Sequence, residues 1–333
     1  MSYVSKSARK AAITLAAVAS AAMVQTSHAA ITNLVSFGDS LSDAGNSSTA
    51  TGGAYPGPLY PGTNVTNGDV WQQYLANDLG FSHTASLLGG GGYAWGGARS
   101  SIDNDPTILP LSTNVQSQVD TYLTSVNGSA DPDTLYTIWS GANDALYAKA
   151  TGDFTAVGSA ALDIASMTQQ LLDAGASKVL VLNLPNVGLT PLQNSDPIAA
   201  GQGTFVSDSF NAALGQAMAS VTGNFSVYDI SGFTDDAVNN PGNYGLTNVT
   251  DRCLNINYDL LGNYSGHTTC SNPEEYLFWD DLHPTTAGHA LIADSIAATV
   301  TALDNASAVP VPAAAWLFLS ALAGIGGLKR SRK

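Results

Sequence analysis

The chain has 333 residues, enough for one large domain with a full core or for two small ones. Hydrophobic residues make up 44% and charged residues only 11%, which excludes an intrinsically disordered chain. Lysine and arginine number 11 against 26 acidic residues, a formal net charge of -15, so there is no basic surface to track phosphates and nucleic acid is not an expected partner.

At the N-terminus, Lys6, Arg9 and Lys10 precede an apolar run over 11–24, and Ser27-His28-Ala29 places small residues where a signal peptidase reads. Residues 1–29 therefore read as a secretory signal peptide, with an ordinary buried helix as the alternative. The mature domain is expected over 30–304, in an exported protein.

Residues 31–37 form a short apolar run that predicts a buried strand. It gives way to Phe37-Gly38-Asp39-Ser40-Leu41-Ser42-Asp43-Ala44-Gly45-Asn46. A serine at a strand tip, beside a glycine that permits a sharp turn, can expose its hydroxyl as a nucleophile must. An Asp/Ser cap on a following helix fits the same residues. The stretch 45–67 is rich in Gly, Pro and Asn and predicts no regular element. It is expected either to wall a pocket or to be a plain surface excursion. Residues 69–79 predict a helix with Trp71, Tyr74 and Leu75 on one face.

Gly89-Gly90-Gly91-Gly92-Tyr93-Ala94-Trp95-Gly96-Gly97-Ala98-Arg99-Ser100 is so glycine-rich that a backbone reason is expected. One reason is amide groups that must face a developing oxyanion; a flexible loop or tight packing at a sheet edge is the other. Residues 115–123 predict a helix and 134–139 a strand. The strand ends in Gly141-Ala142-Asn143-Asp144, where Asn143 can donate its amide to an oxyanion or make an Asx turn or cap.

Residues 154–174 predict an amphipathic helix stopped by Gly175, and 178–184 a strand buried on both faces. A helix over 205–221 and a strand over 225–230 follow. The alternation predicts an α/β protein, a three-layer α/β/α sandwich with a mainly parallel central sheet. Ligands in such sheets sit beyond the carboxyl ends of the strands, where Ser40 and Asn143 both fall. Loops over 45–67 and 185–203 are expected to shape the pocket, and 235–272 to add a lid. Cys253 and Cys270, the only cysteines, suggest one disulfide in an oxidising compartment and are too few for a thiolate metal site.

Tyr276-Leu277-Phe278-Trp279-Asp280-Asp281-Leu282-His283-Pro284-Thr285 opens the last helix, expected over 286–303. At three residues' spacing on a loop, Asp280 can hold the Nδ1–H of His283 and leave Nε2 facing a serine. A helix-capping acid beside a surface histidine is the alternative. His289 is assigned a structural or solvent-facing place, and His83 and His267 no role. Residues 305–333 leave the domain pattern: a linker, then Val309-Pro310-Val311-Pro312, an apolar run over 313–328 and a basic end. That run is short of the roughly 20 residues of a full membrane span.

With these segments in place, the chain resembles the GDSL or SGNH family of serine esterases and lipases. Residues 37–46 are similar to its first block, with Ser40 at the nucleophile position. Residues 93–98 resemble the second, which places an oxyanion-hole amide at Gly97, with Gly96 the neighbouring option. Residues 141–144 resemble the third, with Asn143 at the oxyanion asparagine. Residues 279–285 resemble the last, with Asp280 and His283 completing the triad. Gly92 departs from the family, many members of which carry Asn there. The resemblance implies a flavodoxin-like sandwich and a carboxylic ester hydrolase: an esterase or lipase, with phospholipids among the candidate substrates, working through an acyl-enzyme. Its oxyanion hole would be the Ser40 and Gly97 amides and the Asn143 side chain, and it needs neither metal nor organic cofactor. The same site could serve an acyltransferase, and a catalytically silent surface or matrix protein is the third reading. The tail resembles the PEP-CTERM class of sorting signals. This implies an exosortase-type processing enzyme as partner and a final place at the cell surface or in the extracellular matrix; a plain membrane anchor is the alternative.

Overall fold

The structure is a computed structural model that describes residues 31–103, 113–258 and 264–306. The predicted signal peptide and the segment beyond Ala306 lie outside the described residues. Ala30–Leu303 forms one compact unit. Its central sheet is parallel, in the order β1 (Asn33–Gly38), β2 (Thr134–Trp139), β3 (Val179–Leu182) and β4 (Phe225–Tyr228). The helices, in chain order, are α1 (Asn46–Thr51), α2 (Trp71–Asp78), α3 (Val115–Ser125), α4 (Ala142–Thr151), α5 (Thr155–Asp173), α6 (Pro191–Asn194), α7 (Pro197–Met218), α8 (Ile230–Asn239) and α9 (Thr286–Ala306).

Successive strand side chains point to opposite faces, and this divides the core in two. Phe37, Tyr136, Ile138, Val179 and Val181 pack on one side against α3, α5 and α7. Leu34, Leu135, Trp139, Leu180 and Leu182 pack on the other against α2 and α9. Helices therefore cover both faces, giving the three-layer α/β/α sandwich. Helix α9 is long and apolar enough to cross a membrane, yet Ile292, Ile296, Val300 and Leu303 are buried against the sheet. Each such side chain contributes roughly 1.5–3 kcal/mol, so packing fixes this helix in the core.

The glycine-rich stretch is the edge neighbour of β1. Ser36 N–H donates to Gly91 O (3.0 Å), Tyr93 N–H to Ser36 O (2.8 Å) and Trp95 N–H to Gly38 O (3.2 Å). A Cβ at Gly91 would lie 2.1 Å from Leu34 O, so close approach excludes any side chain there.

Several predicted boundaries change. The stretch 45–67 is not wholly irregular, because it opens with α1. Five of its six residues are weak helix formers, but the Asp43 carboxylate accepts from the N–H groups of Gly45 (2.9 Å), Asn46 (2.7 Å) and Ser47 (3.2 Å) and organises the first turn from outside. The predicted loop 185–203 contains α6 and the first turns of α7. Asp196 caps α7, accepting from Ile198 N–H, and Pro197 opens it. Helix α9 continues to Ala306, past the expected domain end at 304.

After α8 come four short strands: β5 (Asn248–Arg252), β6 (Leu254–Tyr258), β7 (Tyr264–Thr269) and β8 (Tyr276–Phe278). β5 pairs with β8 in parallel, and β6 with β7 as an antiparallel hairpin closed by the Cys253–Cys270 disulfide.

Candidate active site

The site lies beyond the carboxyl ends of β1 and β2. The turn after β1 must pass close to its neighbour: a Cβ at Gly38 would stand 2.4 Å from Trp139 O. Gln118 clamps the same residue, accepting from Gly38 N–H and donating to Gly38 O, both at 2.9 Å. Ser40 follows at once, and its Oγ is 2.8 Å from His283 Nε2. His283 Nδ1 is 2.9 Å from each Asp280 oxygen. An ionised carboxylate only accepts, so Nδ1 carries the proton and Nε2 accepts from the serine hydroxyl.

The loop that carries Asp280 and His283 is tight. Trp279 N–H donates to His283 O (2.8 Å), and the N–H groups of Leu282 and His283 donate to Asp280 Oδ1 (2.8 Å each). Burial works to raise the Asp280 pKa, but the His283 charge and these hydrogen bonds outweigh it and hold the carboxyl at about 2. Burial likewise works to lower His283, and the Asp280 charge and hydrogen bond overcome it, holding the imidazole above its ordinary value. Asp39, 1% exposed, is pushed up to about 7 by burial, against the pull of the Leu41 N–H and of His283.

Asn143 stands in the first turn of α4. Its Nδ2 donates to Ala98 O at 3.0 Å and reaches Asp39 Oδ2 at 3.4 Å. The helix starts at Gly141 (φ 111), where a Cβ would meet the Phe210 ring at 2.3 Å. Asp144 accepts from Arg99 Nε (3.0 Å) and Ser100 N–H (2.9 Å), while the Arg99 guanidinium lies 4.0 Å from the centre of the Tyr147 ring. This clamp ties residues 95–100 to the start of α4. It brings Gly97 (φ 74) to the pocket wall beside Ser40 and Asn143. Gly96 faces the other way: its N–H donates to Asp43 Oδ2 (3.0 Å) and Ser47 Oγ (2.9 Å).

All five residues named from the sequence, Ser40, Gly97, Asn143, Asp280 and His283, thus converge, with Ser40, Gly97, Asn143 and His283 on the wall of one cavity of about 270 Å³. The rest of its wall is mainly apolar, with Leu146, Val187, Leu189, Phe233, Val238 and Ile292. The 45–67, 185–203 and 235–272 stretches all contribute to this wall, through residues that include Tyr55, Asn186 and Val238. Two tyrosines of the first stretch escaped the sequence reading. Tyr55 lines the cavity and packs on Gly96, and Tyr60 donates to Asp280 Oδ2 at 2.7 Å. Their only local signal is being aromatic in a Gly/Pro loop. His289 is fully buried on α9, and His83 is paired with Ser36 at 2.9 Å under the sheet edge. Among the described residues no group of three or more His, Cys, Asp or Glu side chains could hold a metal ion.

The family model described as GDSL-like Lipase/Acylhydrolase matches residues 34–296, a span that contains all five converging residues. Among similar proteins, thermolabile hemolysin of Vibrio parahaemolyticus is 29% identical over 284 aligned residues, covering 80% of this chain and 63% of that one. Lipase 1 of Photorhabdus luminescens is 26% identical, covering 86% and 53%. Phosphatidylcholine-sterol acyltransferase of Aeromonas hydrophila is 27% identical, covering 85% and 94%. The chain therefore spans less than two thirds of the first two relatives and nearly all of the third.

Proposed function

The chain belongs to the GDSL-like lipase/acylhydrolase family, and on that premise we propose that it is a serine hydrolase of carboxylic esters with an apolar acyl group. The observation that carries the reading is the unbroken line of hydrogen bonds from Ser40 Oγ through His283 to Asp280, opening on an apolar cavity. Ser40 Oγ attacks the ester carbonyl while His283 Nε2 takes its proton. The tetrahedral oxyanion is held by the Ser40 and Gly97 amides and the Asn143 side chain. The long 3.4 Å contact from Asn143 to Asp39 is the one the oxyanion displaces. His283 then protonates the leaving alkoxide, giving the acyl-enzyme and the free alcohol. Water, activated by the same imidazole, releases the acid and restores the serine. Asp280 orients the ring and stabilises the imidazolium throughout.

Among the described residues, Asp39 and His283 are the only charged or titratable acid and base on the cavity wall, apart from the Tyr55 phenol. The aliphatic and aromatic remainder suits a hydrocarbon acyl chain better than a sugar-borne acetyl group. The test is hydrolysis of p-nitrophenyl esters from acetate to palmitate by the wild type and by Ser40→Ala. Activity lost in Ser40→Ala, with an optimum above acetate, is expected. Equal activity in the two proteins, or none on any ester, would overturn the reading.

A second reading is favoured by the Aeromonas relative, matched over 94% of its length and named an acyltransferase. An alcohol in place of water at the acyl-enzyme would give a new ester from the same residues. Adding a long-chain alcohol and measuring ester product against free acid separates the two. We also propose that residues 1–29 direct export and that residues 305–333 act as a PEP-CTERM-type sorting segment for an exosortase-type enzyme. Mass spectrometry of the exported protein, locating its two ends, tests both.

A further inference from the structure

Tyr60 lies 220 residues before Asp280 in the chain, yet its phenol O–H donates to Asp280 Oδ2 at 2.7 Å. Among the described residues the donors to this carboxylate divide between its two oxygens. Oδ1 takes the N–H groups of Leu282 and His283, while Oδ2 takes the phenol; His283 Nδ1 reaches both. The phenol is held from behind. Leu59 and the Tyr60 ring pack against Cys253, Leu254 and Trp279, beside the disulfide. Cys253 N–H and Leu254 N–H donate to Phe278 O (3.0 Å) and Trp279 O (2.7 Å), so the same hairpin grips the strand that leads into Asp280.

We propose that Tyr60 is a positioning residue: its hydroxyl fixes Oδ2 of Asp280 and draws off part of the carboxylate's charge, and so sets how strongly His283 holds a proton. The inference rests on the serine-hydrolase reading above. Burial and the neighbouring Asp280 push the Tyr60 phenol up, so it remains a donor at every working pH. The other titratable groups around the pair are Asp39 after β1, Tyr55 across the cavity, His289 on α9, and Asp281, which pairs with Arg252. Tyr60 and His283 are the side chains that donate to Oδ2.

The sign follows from charge. Without the phenol, Oδ2 carries more negative charge toward Nδ1–H, the imidazolium gains stability, and His283 titrates at higher pH. The experiment is ¹⁵N-histidine NMR of the full chain across pH, with His283 assigned by its loss in His283→Gln. It compares wild type, Tyr60→Phe, which keeps the ring, and Tyr60→Met, which also lacks the donor. Both variants are expected to raise the His283 pKa by about half a unit to one unit, roughly three- to tenfold in proton affinity. The acid limb of kcat/KM on p-nitrophenyl butyrate is expected to move by the same amount in Tyr60→Phe. A His283 titration that is unchanged or lowered in Tyr60→Phe overturns the proposal, whatever happens to the rate. A raised titration with no ester hydrolysed by the wild type upholds Tyr60's role and overturns the ester reading instead.

Discussion

Asp39 and Asp280 are both buried carboxyls near His283, and their surroundings drive them apart. Asp280 collects two backbone N–H groups, a phenol and an imidazole and stays ionised, whereas Asp39 has one short hydrogen bond, from Leu41 N–H. With His283 held above the ordinary 6.5, the imidazole is protonated and unable to take the serine proton at lower pH. The acid limb of kcat/KM should therefore have its midpoint above 6.5. Replacing Asp280 by Asn leaves the ring without its anionic partner and should lower kcat by roughly 10⁴, read in the same ester assay. For Asp39 the consequence is in stability. Its pKa rises from 3.8 to about 7 on folding, so between those values the unfolded chain holds fewer protons than the folded one, and stability falls as pH rises. Asp39→Asn escapes this. Its stability relative to wild type, from urea unfolding, should climb from pH 4 to pH 7 and be flat on either side.

At the scale of elements, most of the fold was legible because its pattern is local. The near-continuous apolar runs at β2 and β3 mark strands covered on both faces, and the periodicity of α5 marks a helix. What was missed is organised from a distance. Helix α1 depends on Asp43, which lies outside it, and the Tyr60 phenol meets its carboxylate across 220 positions of sequence. Asn143 was named, but α4, which presents it, was not, because its start is set by Gly141 against Phe210 and by the Arg99–Asp144 pair. Gly141→Ala places a Cβ 2.3 Å from that ring in left-handed backbone and should destabilise the protein by about 1–3 kcal/mol, measured by urea unfolding. Closing a hairpin of sequence separation 17, the disulfide should contribute about 3 kcal/mol, seen as the loss in a Cys253→Ser, Cys270→Ser double variant.

For the whole molecule, the two-sided core and every residue of the candidate site fall within Ala30–Leu303. A chain shortened to end at Ala306 should keep the ester activity of the full chain, within about twofold in kcat/KM, since it retains every described residue that lines the cavity. The separation of Ser40 from His283 by 243 positions has a meaning in time. A ribosome makes Ser40, the proposed nucleophile, early and its proposed base His283 only when the last strand is complete, so for most of synthesis the nascent chain carries a serine without its imidazole partner. If the chain is threaded N-terminus first through a bilayer, the lipid it passes is safe from it until the final helix arrives. On the serine-hydrolase reading, activity begins only once the chain is complete through His283.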